Sequence, residues 1–285
     1  MLWFPLSLSA AFFWSISQIF LKKGLENIPP LWSNIINNFM TIVIWIPVIF
    51  IFNKSPIIIP NFKMIMLIAI TSSLYLIFLY ALSKGKVALV GTVVSIYPLW
   101  TIILSHFILS EAINSIQKIC ILLIITGSVI ISLPEKFSNL KKYNYQWIVW
   151  GFAASILIGT GDFLSKFAIT KIGVYNYTFY LSISYNFMSI LNYLMDKKSR
   201  KLPSRNYKKY ISTIVGAAIS LTGSFLFLLA FNFGKASLVT PVSSIYPALT
   251  VILAMKFLKE KLIKRQLAAV GLTVVGLIFM GISIT

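Results

Sequence analysis

Long apolar runs with no charge inside them recur along this chain, and they limit what it can fold into more than any other feature. The runs from Ile42 to Phe52 and from Ile119 to Ile125 are examples. Apolar stretches of about 18 residues or more can cross a hydrocarbon core roughly 30 Å thick. Only helices and closed barrels satisfy their backbone there, and barrel strands alternate polar and apolar residues. The continuous runs therefore predict an all-α integral membrane protein.

Composition excludes the soluble alternatives. Of the 285 residues, 58% are hydrophobic and 11% are charged, which is too little charge to cover the surface of a soluble domain. The net charge of +19 could indicate nucleic-acid binding, but the basic residues lie between apolar runs and leave no soluble domain to carry a basic face. We therefore expect no nucleic-acid partner. Cys120 lies inside an apolar run and forms no disulfide framework.

Ten apolar spans joined by short connections account for the pattern. The first could be mistaken for a signal peptide, but its charges, Lys22 and Lys23, follow the apolar run instead of preceding it. The longest connection, Asp196 to Lys209, is basic. The predicted spans run near 2–21, 31–52, 64–83, 88–109, 116–133, 146–168, 173–195, 209–231, 236–258 and 264–284.

An internal repeat divides the chain into two halves. With a shift of 149, residues 81–133 lie over residues 230–282 without a gap and share 18 identities, among them the tetrapeptide Ser-Ile-Tyr-Pro. A shift of 148 places Asn38 over Asn186. We infer a duplication with repeats at residues 1–134 and 146–285. Because each repeat holds five spans, the expected fold is ten transmembrane helices arranged as two inverted five-helix repeats, which suits alternating access.

The positions of Lys and Arg predict an orientation. Odd-numbered connections hold 19 of the 25 basic residues, and the even-numbered connections and the termini hold 6. The positive-inside rule then places the odd-numbered connections in the cytoplasm and both termini outside.

Several motifs resemble the EamA-like family of the drug/metabolite transporter superfamily. The first span contains Trp14-Ser15-Ile16-Ser17-Gln18 and closes on two lysines, which is similar to the tryptophan-small pattern of that family. The fourth and ninth spans carry Ser-Ile-Tyr-Pro and end on a glutamate, and glycines follow in the fifth and tenth spans: Glu111, Glu260, Gly127 and Gly276. The resemblance implies a multi-pass plasma-membrane transporter. Members of the family are reported to move amino acids, other metabolites, cations or sugar derivatives.

Two features depart from that family. Asn37 and Asn38 stand in the second span, where the family often has an arginine. The connection between spans 2 and 3 has only Lys54 and Lys63, whereas the family usually carries its basic residues there, which implies inside termini. The resemblance and the charge count therefore predict opposite orientations.

Two prolines mark expected helix breaks. Pro98 and Pro247 remove one backbone donor each and crowd the carbonyl four residues earlier. A broken helix near the midplane offers free carbonyls to a substrate, and a tolerated packing kink is the alternative. Tyr97 and Tyr246 precede the prolines, and we expect them either to line a substrate cavity or to pack with their hydroxyls bonded to a neighbouring helix.

Asp162 is the only acid that the prediction places well inside a span. A carboxylate there is expensive, so we expect it to couple transport to H⁺ or Na⁺, or to anchor a substrate amine. An ion pair with Lys166, four residues further on, is the alternative. All three arginines lie in connections, so the sequence favours a neutral, zwitterionic or cationic substrate over a phosphorylated one.

The second and seventh spans are unusually rich in amides. Asn38 and Asn186 are repeat-related, so we expect both to face the axis that relates the halves, where they either contact a substrate or bond the two helices together. The residues expected at the substrate cavity are Trp14, Ser17, Gln18, Asn34, Asn38, Tyr97, Tyr180, Asn186 and Tyr246.

The sequence thus predicts a secondary transporter that exports an amino acid or a related metabolite. Ion-coupled import of a cationic or quaternary amine, held by Asp162 and an aromatic cage of Trp14, Tyr97 and Tyr246, is the second hypothesis. An intramembrane enzyme would need a dyad or a metal cluster, so we expect no catalytic residue, metal or cofactor. A non-transporting scaffold would leave the paired prolines unexplained. The expected partners are a small-molecule substrate, H⁺ or Na⁺ and the lipid bilayer, with the chain as a monomer or homodimer.

Overall fold

The regular structure is helical throughout the part of the chain that the computed structural model describes, which is residues 2–83, 93–133, 146–196, 206–258 and 263–283. The helices are α1 (Trp3–Leu25), α2 (Pro30–Phe52), α3 (Phe62–Ser83), α4 (Tyr97–Leu109), α5 (Ser115–Ser132), α6 (Gln146–Ile172), α7 (Val174–Met195), α8 (Ile211–Phe233), α9 (Ala236–Ser243), α10 (Tyr246–Leu258) and α11 (Lys264–Ile282). A short 3-10 turn, Tyr207–Lys209, precedes α8.

Helices occupy the predicted spans within the described residues, but the end of the sixth span needs correction. The sixth span was expected to end at residue 168, whereas α6 continues to Ile172 and α7 begins at Val174. Gly173 alone separates them, with a φ of 78°. Glycine adopts positive φ without steric strain, so the chain reverses here without a linker.

The spans expected at 88–109 and 236–258 are not continuous helices. In the second half, α9 ends at Ser243, two residues form a turn, and α10 begins at Tyr246. The first half has the same break: Val94 is helical, a two-residue turn follows, and α4 begins at Tyr97. Residues 84–92 lie outside the described part. The two breaks fall at equivalent positions under the shift of 149.

The prolines explain where the chain resumes its helical course. Pro98 and Pro247 are the second residues of α4 and α10. A backbone N–H in the first turn of a helix has no intrahelical partner, so a proline there removes no hydrogen bond. Its fixed φ also suits the helix. The preceding helices end at Val94 and Ser243, whose carbonyls the proline rings would otherwise crowd.

Six helices within the described residues are long and apolar enough to cross a membrane, namely α1, α2, α5, α6, α8 and α11. Two shorter apolar stretches, Phe62–Leu74 and Tyr97–Leu109, accompany them. Large apolar side chains point outward, as Ile51 and Phe107 do with 72% and 78% of their surface exposed. Such surface is suited to lipid, and the count of ten spans stays a prediction.

The packing of α5 on α11 is reciprocal between the halves. A Cβ built on Gly127 would lie 2.9 Å from the carbonyl oxygen of Ala269, and one built on Gly276 would lie 3.1 Å from the carbonyl oxygen of Cys120. The shift of 149 exchanges these two contacts. Other helices pair in the same manner: α1 packs on α8 and α6 on α3, while α2 packs on α7.

Candidate functional site

The amides of α2 and α7 bond the two helices together across the centre of the molecule. The Asn38 Nδ2 donates to the Ser189 Oγ at 2.7 Å and to the Tyr185 carbonyl at 3.1 Å. The Asn186 Nδ2 donates to the Asn38 carbonyl at 2.8 Å and contacts the Thr41 Oγ1 at 3.3 Å. The shift of 148 exchanges the two amide–hydroxyl contacts, so both asparagines use their donors in joining α2 to α7.

Asn34 lies one turn before Asn38 on the same face of α2 and behaves differently. Its side chain is 6% exposed, and neither amide atom has a hydrogen-bond partner among the described residues. A buried amide without partners is destabilising. Asn34 can therefore bind a polar group that reaches this face.

Asp162 of α6 faces the start of α4. One turn earlier, Gly159 lies so close to the chain that a Cβ there would collide with the Tyr97 carbonyl oxygen and lie 2.6 Å from the Trp100 Cβ. Residues three apart share a helix face, and the Asp162 carboxyl lies near enough to Tyr97 for an electrostatic interaction. Tyr97 is 7% exposed.

The Asp162 carboxyl also lies beside the Thr240 hydroxyl of α9. The two groups do not meet hydrogen-bond geometry: the Asp162 Oδ2 and the Thr240 Oγ1 are both buried without a partner in the described part of the chain. A carboxyl and a hydroxyl thus lie side by side, and the Oδ2 and Oγ1 atoms retain bonding capacity for a ligand. Both residues belong to the second half; Thr240 precedes the break in that half by one turn, and Asp162 reaches the first half at Tyr97.

Trp14 of α1 faces the equivalent break in the second half. Its ring lies 6.0 Å from the ring of Tyr246 at an angle of 83°, and 5.2 Å from that of Phe227. Its Nε1 donates to the Ser224 Oγ at 3.1 Å. This edge-to-face aromatic group borders the start of α10 as Asp162 borders the start of α4.

The two positions are related by the repeat. Ala11 belongs to a buried cluster with Ile245, against which Tyr246 and Leu249 pack, while Gly159 packs against Tyr97 and Trp100. A shift of 148 takes Ala11 to Gly159 and also takes Trp14 to Asp162, and the shift of 149 relates the tyrosines. The halves therefore present an indole and a carboxylate at corresponding points.

The ion pair considered for Asp162 is not what the structure shows. The Lys166 Nζ donates to the carbonyl oxygens of Phe231 and Gly234 at 2.6 and 2.8 Å. Those carbonyls end α8, where a cation interacts favourably with the helix dipole. Lys166 thus holds the end of α8, and the Asp162 Oδ2 is left without a partner in the described residues.

Comparison with known proteins assigns the chain to a family. The model of the EamA-like transporter family matches residues 1–133 and 145–282, one copy in each half. The chain belongs to the EamA-like transporter family. Family membership makes it a membrane transporter of the drug/metabolite transporter superfamily and agrees with the resemblance drawn from the motifs.

Individual relatives cover parts of this EamA-like chain. The uncharacterized protein MJ1333.1 of Methanocaldococcus jannaschii is 32% identical over 137 residues, which are 48% of this chain and 96% of that protein. The WAT1-related protein At4g01440 of Arabidopsis thaliana is 29% identical over 106 residues, 36% of this chain and 28% of that protein. A solved crystal structure, 13% identical, superposes with a TM-score of 0.79 over 99% of this chain and 96% of that one, which shows a shared fold.

Sequence reasoning missed three hydroxyl residues around Asp162 in this EamA-like site. Thr240 lies beside the carboxyl. Tyr177, fully buried, interacts electrostatically with Asp162 and shares a 2.7 Å hydrogen bond with the Ser165 Oγ. Hydroxyls in apolar helices usually bond their own backbone and therefore give no signal in the sequence. Only the spacing of Ser165, three residues after Asp162 and so on the same helix face, could have identified it.

Three other residues predicted to line the cavity make no hydrogen bond or ring contact with Asp162, Thr240 or Tyr177 within the described residues. Ser17 is buried and donates to the Trp14 carbonyl at 2.8 Å. Gln18 is exposed, and Tyr180 packs edge-on against Phe179 at 5.3 Å. Their role at a substrate cavity stays a prediction. Glu260 lies outside the described residues.

Tyr97 interacts electrostatically with both Asp162 and Tyr246, and so links the carboxyl and the Thr240 hydroxyl to the aromatic rings. The Asp162 carboxyl can bind a cation, an ammonium or a proton, and the Thr240 hydroxyl can add a further bond. The Trp14 and Tyr246 rings offer apolar surface and, through their faces, attraction for a cation. This combination is suited to binding a small solute with a positively charged nitrogen.

Proposed function

We propose that this EamA-like chain is a secondary active transporter that moves a small organic solute, an amino acid or related metabolite, out of the cell across the plasma membrane by alternating access. The observation that carries the proposal is the Asp162 carboxyl beside the Thr240 hydroxyl and near Tyr97 of the first half, with the Asp162 Oδ2 and the Thr240 Oγ1 buried and without a hydrogen-bond partner among the described residues. Unsatisfied buried polar groups are destabilising, so a ligand that bonds both is favoured there.

Alternating access requires two halves that can exchange conformations, and three observations support inverted repeats. The glycine contacts of α5 and α11 are reciprocal. The asparagine contacts of α2 and α7 are reciprocal as well. A relative matched over 96% of its own length covers 48% of this chain, which is about the length of one half.

The contacts between connections agree with ten crossings. In that arrangement, even-numbered connections share one face of the membrane and odd-numbered ones share the other. The connection after α4 contacts the one before α9 through Glu111 and Ala236. At the other end, the Arg265 Nη2 donates to the Leu133 carbonyl at 2.8 Å, which joins two odd-numbered connections. Each contact joins connections of one parity.

Asp162 is the proposed coupling group. A carboxylate in a membrane interior is stabilised when it is paired or protonated, so H⁺ or Na⁺ binding and solute binding compete or cooperate at the same oxygens. A carrier that releases the ion when it binds the solute would exchange the two across the membrane.

Ion-coupled import of a cationic or quaternary amine is the second candidate. It is favoured by the Trp14–Tyr246 ring pair, 6.0 Å between centroids, and by Tyr97, which interacts electrostatically with both Asp162 and Tyr246. Quaternary nitrogens are recognised by aromatic faces and do not need hydrogen-bond acceptors. The two candidates differ in the direction of flux and in whether N–H groups are required.

Reconstitution into liposomes tests the proposal. Purified protein is first screened for thermal stabilisation by amino acids, amines and nucleosides, because a ligand at about a hundred times its Kd stabilises by roughly 2.7 kcal/mol. Stabilising solutes are then offered to proteoliposomes with an imposed pH or Na⁺ gradient. We expect saturable, gradient-dependent flux. Folded protein that moves none of the stabilising solutes would support a non-transporting scaffold instead.

A further inference from the structure

The first turn of α9 is capped by a side chain from the other half of the chain. The Glu111 Oε1 accepts from the Ala236 N at 2.9 Å, and the Oε2 accepts from the Ser237 N at 2.9 Å and the Ser237 Oγ at 2.5 Å. Glu111 is 7% exposed. The residue that would ordinarily cap α9, Lys235, makes no side-chain cap bond. The N-terminus of α9 therefore depends on a carboxylate 125 positions away.

The two chain segments hold each other from both sides. The Lys235 Nζ donates to the Ala112 carbonyl at 2.5 Å. Ser110 takes a left-handed conformation, φ 54°, and the Glu111 N donates to the Ser105 carbonyl at 3.2 Å, so the backbone turns Glu111 toward α9. We call the contacts of Glu111 and Ala112 with residues 235–237 the Glu111 clasp.

The clasp closes over a helix that leads to the central site. All eight residues of α9 are buried. Ser237 and Thr240 are three residues apart, so only one helical turn, about 5 Å, separates the clasp from the hydroxyl beside Asp162. Separating residues 236 and 237 from Glu111 would move α9 and change the distance between Thr240 and Asp162.

The surroundings of the clasp are electrostatically suited to a contact that forms and breaks. Lys166 interacts electrostatically with Glu111, and both line a cavity of about 400 Å³ that also includes Thr170 and Lys171. Lys166 and Lys171 belong to α6, so they remain near the Glu111 carboxylate when α9 moves away. Glu111 then need not lie in lipid as an unpaired charge.

We infer that the Glu111 clasp is the gate that closes one face of the transporter, the face of the even-numbered connections, and that its release is required for the central site to open there. The inference rests on the proposed alternating access. Glu111 acts on access alone and touches no substrate.

The test measures access directly. In a Cys120→Ala background, which removes the only cysteine of the chain, Thr240→Cys reports on the central site. Thr170→Cys, exposed at the clasp end, identifies the vesicle orientation that presents this face. The rate at which a charged, membrane-impermeant thiol reagent labels Thr240→Cys from that face is then compared among clasp variants.

Glu111→Gln should raise this labelling rate about tenfold, because an amide loses the charge and one acceptor oxygen of a charge-assisted cap. Ser237→Ala removes one of the three bonds and should give a smaller increase. Glu26→Gln, an exposed carboxylate away from the clasp, should leave the rate unchanged.

An unchanged rate in folded Glu111→Gln would overturn the inference. Should that variant fail to fold, an unchanged rate in Ser237→Ala, whose backbone cap is intact, would overturn it equally. Labelling requires no transported solute, so the two proposals can fail separately. Faster labelling with no flux for any solute would leave the gate standing and contradict transport, whereas flux with unchanged labelling would contradict the gate alone.

Discussion

Trp14 and Asp162 occupy equivalent positions in the two halves, and each faces the tyrosine that opens the second part of a broken helix. Trp14 lies 6.0 Å from Tyr246, ring to ring, and Asp162 interacts electrostatically with Tyr97. The duplicated architecture is therefore symmetric while its chemistry is not. The Asp162 carboxyl can bind a cation or a proton, and the Trp14 and Tyr246 rings can bind apolar or cationic surface.

Asp162→Asn should abolish gradient-driven transport while the protein still folds. The amide is nearly isosteric but cannot exchange a proton or hold a cation, so we expect uptake to fall by about tenfold or more. Uptake into proteoliposomes with and without the gradient measures this, and Glu26→Gln is the control for loss of an acidic group. Normal gradient-driven uptake by Asp162→Asn would exclude Asp162 as the coupling group.

Trp14→Leu should weaken the binding of a cationic amine by several-fold. The affinity of Trp14→Phe should lie between those of Trp14→Leu and the native protein. The reason is that cation–π attraction is worth about 0.5–2 kcal/mol and is strongest for tryptophan. Thermal stabilisation as a function of ligand concentration gives the affinities. Phenylalanine also lacks the donor to Ser224, so a Phe variant as weak as the Leu variant would mean that the hydrogen bond matters and the ring does not.

Gly127→Ala should lower the free energy of unfolding by about 1–3 kcal/mol, the usual range for overpacking. The added Cβ would collide with the Thr273 Oγ1 and press on the Ala269 carbonyl oxygen at 2.9 Å. Gly271→Ala is the matched control on α11, since nothing lies within 4 Å of its added Cβ. Thermal unfolding in detergent compares them. Equal melting temperatures would contradict the close approach of α5 and α11.

Asn38→Ala and Asn186→Ala should destabilise the protein by less together than the sum of their separate effects. Both amides join α2 to α7: Asn38 donates to Ser189, and Asn186 donates to the Asn38 carbonyl. Interhelical hydrogen bonds in membranes have coupling energies of about 0.6–1.7 kcal/mol. A double-mutant cycle in detergent measures the coupling. Effects that add within about 0.3 kcal/mol would show that the two contacts are independent.

The helical class follows from the sequence because only helices and closed barrels satisfy their backbone hydrogen bonds in lipid. The family follows from the motifs that the two halves carry. Apolar runs indicate helices, and the repeated Ser-Ile-Tyr-Pro marks both breaks because a proline in the first turn of a helix removes no intrahelical hydrogen bond. The repeat register of Asn38 and Asn186 predicts that both face the axis relating the halves, and their bonds between α2 and α7 are reciprocal.

Contacts between distant spans were beyond sequence reasoning. Lys166 lies four residues after Asp162, which suggested an ion pair, yet it bonds the end of α8 instead. Glu111 looked like a local helix end and caps a helix in the other half. Thr240 had no pattern to mark it, because its relation to Asp162 depends on how α6 packs beside α9. Helix packing decides all three, and single-helix periodicity does not encode it.

Counterflow tests the central claim most directly. Proteoliposomes are loaded with a high concentration of an unlabelled stabilising solute, and trace labelled solute is added outside with no ion gradient. In an alternating-access carrier, the internal solute occupies the site as it reorients, so little labelled solute leaves the vesicle at first. We therefore predict that labelled solute accumulates transiently above its equilibrium level. We also predict that Asp162→Asn alters the ion dependence of this accumulation. Simple equilibration at a rate independent of the internal solute would contradict alternating access.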